Sequence, residues 1–305
     1  MTRNHTERAE RDARLSLAAQ EHPAGRVDLT STSSFMEAFR ERAFRDGSVA
    51  ALFHENTKFD RHYQMQSAMT SSDLPDGFST VEQDYHGQET VSLPTPNALD
   101  CGLADVLARR RSVREFADRG VTTETLGTLL GHAVAPTAER DTGIVSETSR
   151  SYPSAGGLYP IEVYPVVSDG ADIDAGTYYY SPREHALRVL ERGGTGDRFT
   201  GCFMDEPFAG AIVDDAPVTF VLTGCLSRVA SKYGMVGYRF ALYEAGHLAQ
   251  TLLLAATALG LGGVPLGSFL DDDLDQFLGV DGTNEATLYP IAVGHPQDEN
   301  QDIHD

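Results

Sequence analysis

The sequence predicts an α+β protein, a central mixed sheet flanked by helices with one long helix at its centre. Three observations lead there. Tyr238–Leu259 carries Phe240, Tyr243, Leu248, Leu252, Ala255 and Leu259 near helical spacing, and Gly260, Gly262 and Gly263 end it. Several shorter runs are apolar and β-branched without that spacing, which suits buried strands. Finally, 305 residues at 41% apolar and 23% charged composition supply a core for one large domain plus an extension.

Taken in order, Met1–Asp46 mixes arginines with acids and supports short helices at most. Ser67–Gln88 is polar and turn-rich, and Pro94 and Pro96 punctuate the chain as a linker does. A boundary near residue 95 follows, with residues 1–95 a partly helical N-terminal extension and residues 96–305 the main domain. Leu103–Arg111 reads as a short helix, and Thr122 or Thr123 caps a second that runs to about Val134. Ala135–Tyr152 is polar and reads as a loop. Ile161–Ser168 is a strand, and Gly176–Ser181 with Ala186–Glu191 forms a hairpin around Pro182, Arg183 and Glu184. Pro217–Thr223 is another buried strand, Asp271–Asp273 opens a short helix whose acids suit its positive end, and Leu288–Gly294 is the last strand. The long helix also carries Ala241, Ala245, Gly246, Ala249, Leu253, Leu254 and Ala256, so it is apolar around most of its circumference. It is either the central helix of the domain or packed against a second subunit.

Charge narrows the partners. A net charge of −21 argues against nucleic acid, whose phosphates need a basic surface. Only Lys58 and Lys232 are lysines, the other basic residues being arginine; an acidic, lysine-poor surface fits a salt-rich cytoplasm and a halophilic source. The first thirty residues are charged throughout, and the longest apolar run, Thr251–Gly267, is short and broken by Gly260, Gly262, Gly263 and Pro265. A soluble cytoplasmic protein with no leader and no membrane span is expected. Cys101, Cys202 and Cys225 lie far apart and the ten histidines are scattered, so no metal site is expected. His185 and His247 read as structural, and Gly193–Gly196 as a turn.

Three kinds of segment could carry chemistry. Arg109-Arg110-Arg111-Ser112-Val113-Arg114 packs four guanidiniums into six residues, which repel unless an anion or several carboxylates sits among them. A phosphate pocket and a solvated basic turn both satisfy that pattern. Pro153-Ser154-Ala155-Gly156-Gly157 precedes a strand, and its small residues let the backbone approach a flat ligand or simply turn; Val264–Phe269 reads alike. Lys232 stands beside Tyr233 in a chain that otherwise uses arginine. A group that must give up a proton near neutral pH cannot be arginine, so Lys232 is either a base assisted by Tyr233 or an incidental surface lysine.

Read in order, these strings resemble the nitroreductase-like flavoproteins, and within them the SagB-type (McbC-like) dehydrogenases. The strings are FHENTK (Phe53–Lys58), RRRSVREF (Arg109–Phe116), PSAGGLYPIEVY (Pro153–Tyr164), GTYYYSPREHALRVL (Gly176–Leu190), KYG with GYRFALYEAGHLAQTLLLAATALGLGG (Lys232–Gly263), GSF (Gly267–Phe269) and AVGHP (Ala292–Pro296). The resemblance implies a nitroreductase-like sandwich and FMN bound between the subunits of a homodimer, with the long helix at the interface. It implies that Arg110, Arg111, Ser112 and Arg114 hold the phosphate and ribityl tail, and that Pro153, Ser154, Ala155 and Gly157 lie against the ring. Leu266, Gly267 and Ser268 would face the other ring side. Lys232 and Tyr233 would remove the substrate proton, in an oxidation of peptide azolines to azoles alongside peptide-modifying partner enzymes. General nitroreductases differ in carrying an acidic residue at the position of Gly267, which turns the expectation away from nitro compounds and quinones. An NAD(P)H-dependent reductase of such compounds and a non-catalytic scaffold of a peptide-modifying complex are the alternative readings.

Overall fold

A computed structural model describes residues 50, 53–54, 57–58, 83, 85, 87–141, 146–204 and 209–297. The short helices expected in Met1–Asp46, most of the turn-rich stretch 67–88 and most of the acidic tail lie outside them. The chain divides into two compact units, residues 1–67 and 68–305. In the first, Thr57 is buried, and its hydroxyl donates to the Phe53 carbonyl at 2.5 Å, closing one helical turn. Everything below concerns the second.

Its centre is a sheet of seven strands: β1 (Thr90–Ser92), β4 (Ile161–Val167), β5 (Gly176–Ser181), β6 (Ala186–Arg192), β7 (Val218–Cys225), β8 (Gly262–Pro265) and β9 (Glu285–Gly294), in the order β1-β6-β5-β4-β7-β9-β8. The named strands pair antiparallel throughout, and isolated parallel bridges join Ser112 to Gly263 and Val121 to Gly170. Strand side chains alternate, so each face has its own core. Ile161, Val163, Val167, Phe220, Leu222, Ile291 and Val293 face α2 (Thr123–Ala133) and α6 (Val236–Ala258). Tyr164, Val166, Tyr179, Val221 and Ala292 face α3 (Gly196–Thr200), α4 (Ala209–Asp215) and α7 (Asp271–Leu278). Helices thus cover both faces of the sheet. Two further helices complete the unit: α1 (Leu103–Arg109) and α5 (Leu226–Tyr233).

The long helix buries Ala241, Glu244, Ala245, Leu248, Ala249 and Leu252 against the sheet, which accounts for one apolar side. Near its start the opposite side leaves Met235, Tyr238, Leu242 and Tyr243 exposed, as are Leu103 and Leu107 of α1. Thr122 caps α2, its hydroxyl accepting from the Thr125 N–H at 3.0 Å. His185 has the structural role expected of it. Its Nε2 donates to the Pro94 carbonyl at 2.9 Å, so its Nδ1 accepts from Tyr180 at 2.8 Å.

Three features differ from the sequence reading. Ala135–Tyr152 is not a loop but contains a hairpin, β2 (Pro136–Asp141) with β3 (Ser146–Arg150); its strands are polar on both sides and give no alternation to detect. Thr90–Ser92, in the stretch read as leading to a linker, is the edge strand beside β6. Gly262–Pro265, read as a helix stop and turn, is the other edge strand, and Ser112 and Val113 lie along its outer side, the Val113 N–H donating to the Gly263 carbonyl at 3.2 Å.

Among the described residues no helix is long and apolar enough to cross a membrane, and no group of three or more His, Cys, Asp or Glu residues is placed to hold a metal. All three cysteines are free.

A buried ion pair fastens α5 to the start of β4: Arg228 donates from Nη2 to Glu162 Oε1 and from Nη1 to the Tyr159 carbonyl, both at 2.7 Å. Removing one partner of such a pair strands the other charge in the core. Arg228→Ala is therefore expected to lower unfolding free energy by about 3–5 kcal/mol, read from urea denaturation followed by circular dichroism.

Candidate active site

The segment after β3 turns back on itself before entering β4. Ala155–Gly157 forms one 3-10 turn in which Gly156 and Gly157 have φ of 62° and 66°, a region open to glycine and costly for other residues. Tyr159, two residues on, also has positive φ, at 43°, with a buried side chain. Such strain of about 1–3 kcal/mol persists only where the surroundings over-determine it. Here the Tyr159 N–H donates to Ser154 Oγ (2.8 Å), its hydroxyl accepts from the Arg150 N–H (3.0 Å), and its carbonyl accepts from Arg228. Tyr152 packs edge-on to its ring at 5.6 Å, and the Arg150 guanidinium sits 4.7 Å from the ring centre.

What the turn faces is the end of α5. A methyl group at Gly156 would overlap both Tyr233 Oη and Lys232 Nζ. Lys232 and Tyr233 are half-buried, Lys232 Nζ lies 5.5 Å from the centre of the Tyr233 ring, and burial raises the Tyr233 phenol above its usual range. Gly234, with φ of 56°, then swings the chain into α6, where Phe240 meets the Tyr233 ring edge-on at 5.0 Å. The glycine-rich turn and the Lys-Tyr pair, 75 residues apart in the chain, therefore form one surface.

One turn beyond Phe240, α6 presents Glu244. The Ser154 hydroxyl donates to its Oε2 at 2.5 Å. The carboxyl is buried, and among the described residues Oε1 has no partner in good hydrogen-bond geometry. Burial pushes its pKa up to about 7, against the pull of Ser154, of Arg150 and Arg228, and of the Ile161 amide. Glu244, Arg150 and Arg228 were not singled out in the sequence, and Gly156 was read only as part of the glycine-rich segment. The signal for Glu244 was there, since an acid at the helical spacing of Ala241 and Leu248 lies on the buried stripe.

The arginine string forms a second cluster. Arg111 Nη1 closes the end of α1, donating to the carbonyls of Ala108 (2.7 Å) and Arg110 (3.0 Å). Arg109 pairs with Asp105, whereas Arg110, Arg111 and Arg114 form no ion pair with a carboxylate among the described residues. Arg111, Ser112 and Arg114 are exposed and Arg110 is half-buried. Because Ser112 bridges to Gly263, this cluster shares β8 with Leu266, Gly267 and Ser268. Leu266 is buried and its N–H donates to the Pro290 carbonyl at 2.9 Å; Gly267 and Ser268 are exposed, with open space beside Gly267.

The arginine string and the glycine turn do not meet within one chain. Gly263 is level with Val293, Val218 and Val167, while Ile161, at the exit of the glycine turn, lies six residues further down β4. That is about 20 Å along the strands and about 15 Å across them.

Comparison with known proteins follows from this geometry. The nitroreductase family profile matches residues 107–295, more than half of the chain. The chain belongs to the nitroreductase family. It is 32% identical over 207 residues to a Methanocaldococcus jannaschii protein that carries the name nitroreductase, covering 68% of this chain and 97% of that one. It is 29% identical over 159 residues to the Escherichia coli microcin B17-processing protein McbC, and 28% identical over 184 residues to the Rhizobium leguminosarum trifolitoxin-processing protein TfxB. Those matches cover 50% and 57% of this chain, and 56% and 47% of the two relatives. Among solved structures, a nitroreductase-fold protein of Anabaena variabilis superposes with a TM-score of 0.64 at 26% identity, over 83% of this chain and 48% of that one. A chain of the E. coli McbBCD microcin synthetase complex shares the fold at a TM-score of 0.53 and 21% identity, over 84% of this chain and 92% of that one. The family makes the protein an oxidoreductase, and the sandwich expected from the sequence is the one observed.

Two outcomes check this arrangement. Gly156→Ala and Gly157→Ala each pay about 1–2 kcal/mol for a side chain at positive φ. Nothing lies within 4 Å of the methyl added at Gly157, so the extra loss in Gly156→Ala, measured by chemical unfolding, reports displacement of Lys232 and Tyr233. For Glu244, a folded pKa of about 7 against an ordinary 4.5 means that the folded state binds more protons between those values. Stability is expected to fall as pH rises through that window, by roughly 3 kcal/mol in all, and Glu244→Gln removes this slope from the unfolding curves.

Proposed function

We propose that this protein is an FMN-dependent oxidoreductase of the SagB type, which oxidises a carbon–hydrogen bond with proton loss to Lys232. The observation that carries the reading is the apposition of Lys232 Nζ and Tyr233 Oη to the backbone of Gly156. A proton acceptor and a hydroxyl are there held against main chain, and the open space beside the neighbouring Gly157 suits a flat ring.

The residues present fit FMN. Among the described residues Arg110, Arg111 and Arg114 have no carboxylate partner, in a chain of net charge −21, and with Ser112 they offer bidentate and neutral donors to a phosphate and its ribityl tail. Pro153, Ser154, Ala155 and Gly157 present small side chains and main chain to one face of a ring, and Leu266, Gly267 and Ser268 to the other. When bound, FMN supplies the two-electron acceptor. Lys232 then receives the substrate proton at Nζ, Tyr233 orients or relays it, and the half-buried setting limits exchange with water.

Because the two clusters are far apart within one chain, a ligand touching both is best served by two copies, the arginines of one facing the glycine turn of the other. The exposed Tyr238, Leu242 and Tyr243 on the long helix supply an apolar face for such a homodimer. The names of McbC and TfxB, both peptide-processing proteins, support a peptide substrate. FMN, when bound, would supply the acceptor for two electrons, and an azoline ring that also gave up a proton to Lys232 would become an azole; enzymes that build the azoline would be the partners. The residues ahead of β1 would serve as an extension to this catalytic body, and the acidic, lysine-poor composition supports a salt-rich cytoplasm as its setting.

Purified protein is expected to be yellow with flavin bands, and a colourless protein that ignores added FMN overturns the assignment. Arg110→Ala combined with Arg114→Ala loses FMN by at least about tenfold in Kd, each lost charged contact removing more than 1 kcal/mol. Lys232→Ala retains FMN but loses turnover of an azoline peptide by about 10²-fold or more. Unchanged turnover removes Lys232 as the base. Rapid flavin bleaching by NAD(P)H would instead favour a reductase of nitro compounds or quinones.

A further inference from the structure

The buried face of α6 holds both halves of the candidate catalytic surface. Phe240 packs against Tyr233, and Glu244, four residues later on the same side, accepts from Ser154. Ser154 is the residue that caps the glycine turn, and its Oγ in turn accepts from the strained Tyr159 N–H, so the turn is closed through one oxygen anchored to Glu244. A single helix face therefore sets the gap between the Gly156 backbone and the Lys-Tyr pair. Glu244 is only 2% exposed, its Oε2 accepts from the Ser154 hydroxyl, and the Ile161 amide also draws on the carboxyl. Packing alone would be served by a leucine. The carboxylate gives something a leucine cannot, a charge-assisted hold on Ser154 that weakens when a proton arrives.

We propose that Glu244 is a positioning residue of the redox site, whose charged form pins the turn 154–157 against Lys232 and Tyr233 and whose protonation loosens it. The proposal rests on the functional reading above for the role of Lys232 and Tyr233, but not for the titration itself. Other charged or titratable groups face Glu244. Arg150 comes from the end of β3, with Tyr152 just beyond it, and Arg228 comes from α5. Glu162 on β4 pairs with Arg228. The two guanidiniums favour the carboxylate and burial favours the acid, so the balance falls near neutrality.

The test uses the full chain and two readouts. In the first, FMN is titrated into wild type, Glu244→Gln and Ser154→Ala across the range from about pH 5.5 to about pH 8.5, with flavin fluorescence reporting Kd. Wild type is expected to bind about tenfold more tightly at the alkaline end, the gain from restoring one charge-assisted bond, with a midpoint near neutrality. Both variants should show a flat profile while keeping their far-ultraviolet dichroism. The other readout needs no flavin. Lys58 and Lys232 are the only lysines, so acylation of Lys232 relative to Lys58, followed by mass spectrometry, reports how closely the turn covers Nζ. That ratio is expected to step near neutrality in wild type and to lose the step in Glu244→Gln and Ser154→Ala. A step that survives Glu244→Gln in the labelling readout overturns the proposal. Failure of every form to bind FMN, with the labelling step intact in wild type and absent from both variants, overturns the functional reading and leaves Glu244 as the residue that sets the turn.

Discussion

A missing side chain governs this site. With hydrogen alone on the Cα of Gly156, main chain approaches the tip of a lysine and the hydroxyl of a tyrosine more closely than any other residue would permit. The positive φ values of Gly156 and Gly157, the strained Tyr159, the Ser154 bond to Glu244 and the buried Arg228–Glu162 pair all serve to hold that approach in place. The strain is local and its restraints come from four elements, α5, α6, β3 and β4. This is how a fold positions a candidate reactive pair while leaving it half-exposed.

The sheet supplies the frame. Its central strands are buried on both faces, so their register is fixed by two cores rather than one. Fixed register in turn sets where loops leave the strands: the glycine turn enters at one end of β4, and the arginine string lies beside β8 near the level of the other end. The same regularity that makes the body rigid thus keeps the phosphate-binding candidates and the proton-handling candidates apart within a single chain.

Much of the body was legible from residue patterns. Strands such as Ile161–Val167 and Val218–Cys225 announced themselves through β-branched apolar runs, and the helix Val236–Ala258 through its spacing. The polar hairpin Pro136–Asp141 with Ser146–Arg150 was invisible because neither strand has an apolar face. Thr90–Ser92 and Gly262–Pro265 were missed because each is very short, and the glycines of Gly262–Pro265 have the composition of a helix stop. At the site, Lys232 stood out by its rarity and the arginine string by its density. The turn that meets Lys232 could not be paired with it, since sequence carries no register between a loop and a helix 75 residues away. Glu244 was readable in principle, as an acid on the buried stripe, but the oxygen it grips is a matter of tertiary packing.

The ends of the sheet carry a consequence of their own. One border strand is three residues long; the other is four, includes a proline, and has Ser112 and Val113 laid along its free side. Neither rim offers a run of open amides and carbonyls on which a neighbouring molecule could template itself. Self-association by strand addition, the route to fibrils and runaway polymers, is disfavoured at both borders of this sheet. Contact between copies is better served by side chains on helical surfaces, such as the exposed Tyr238, Leu242 and Tyr243.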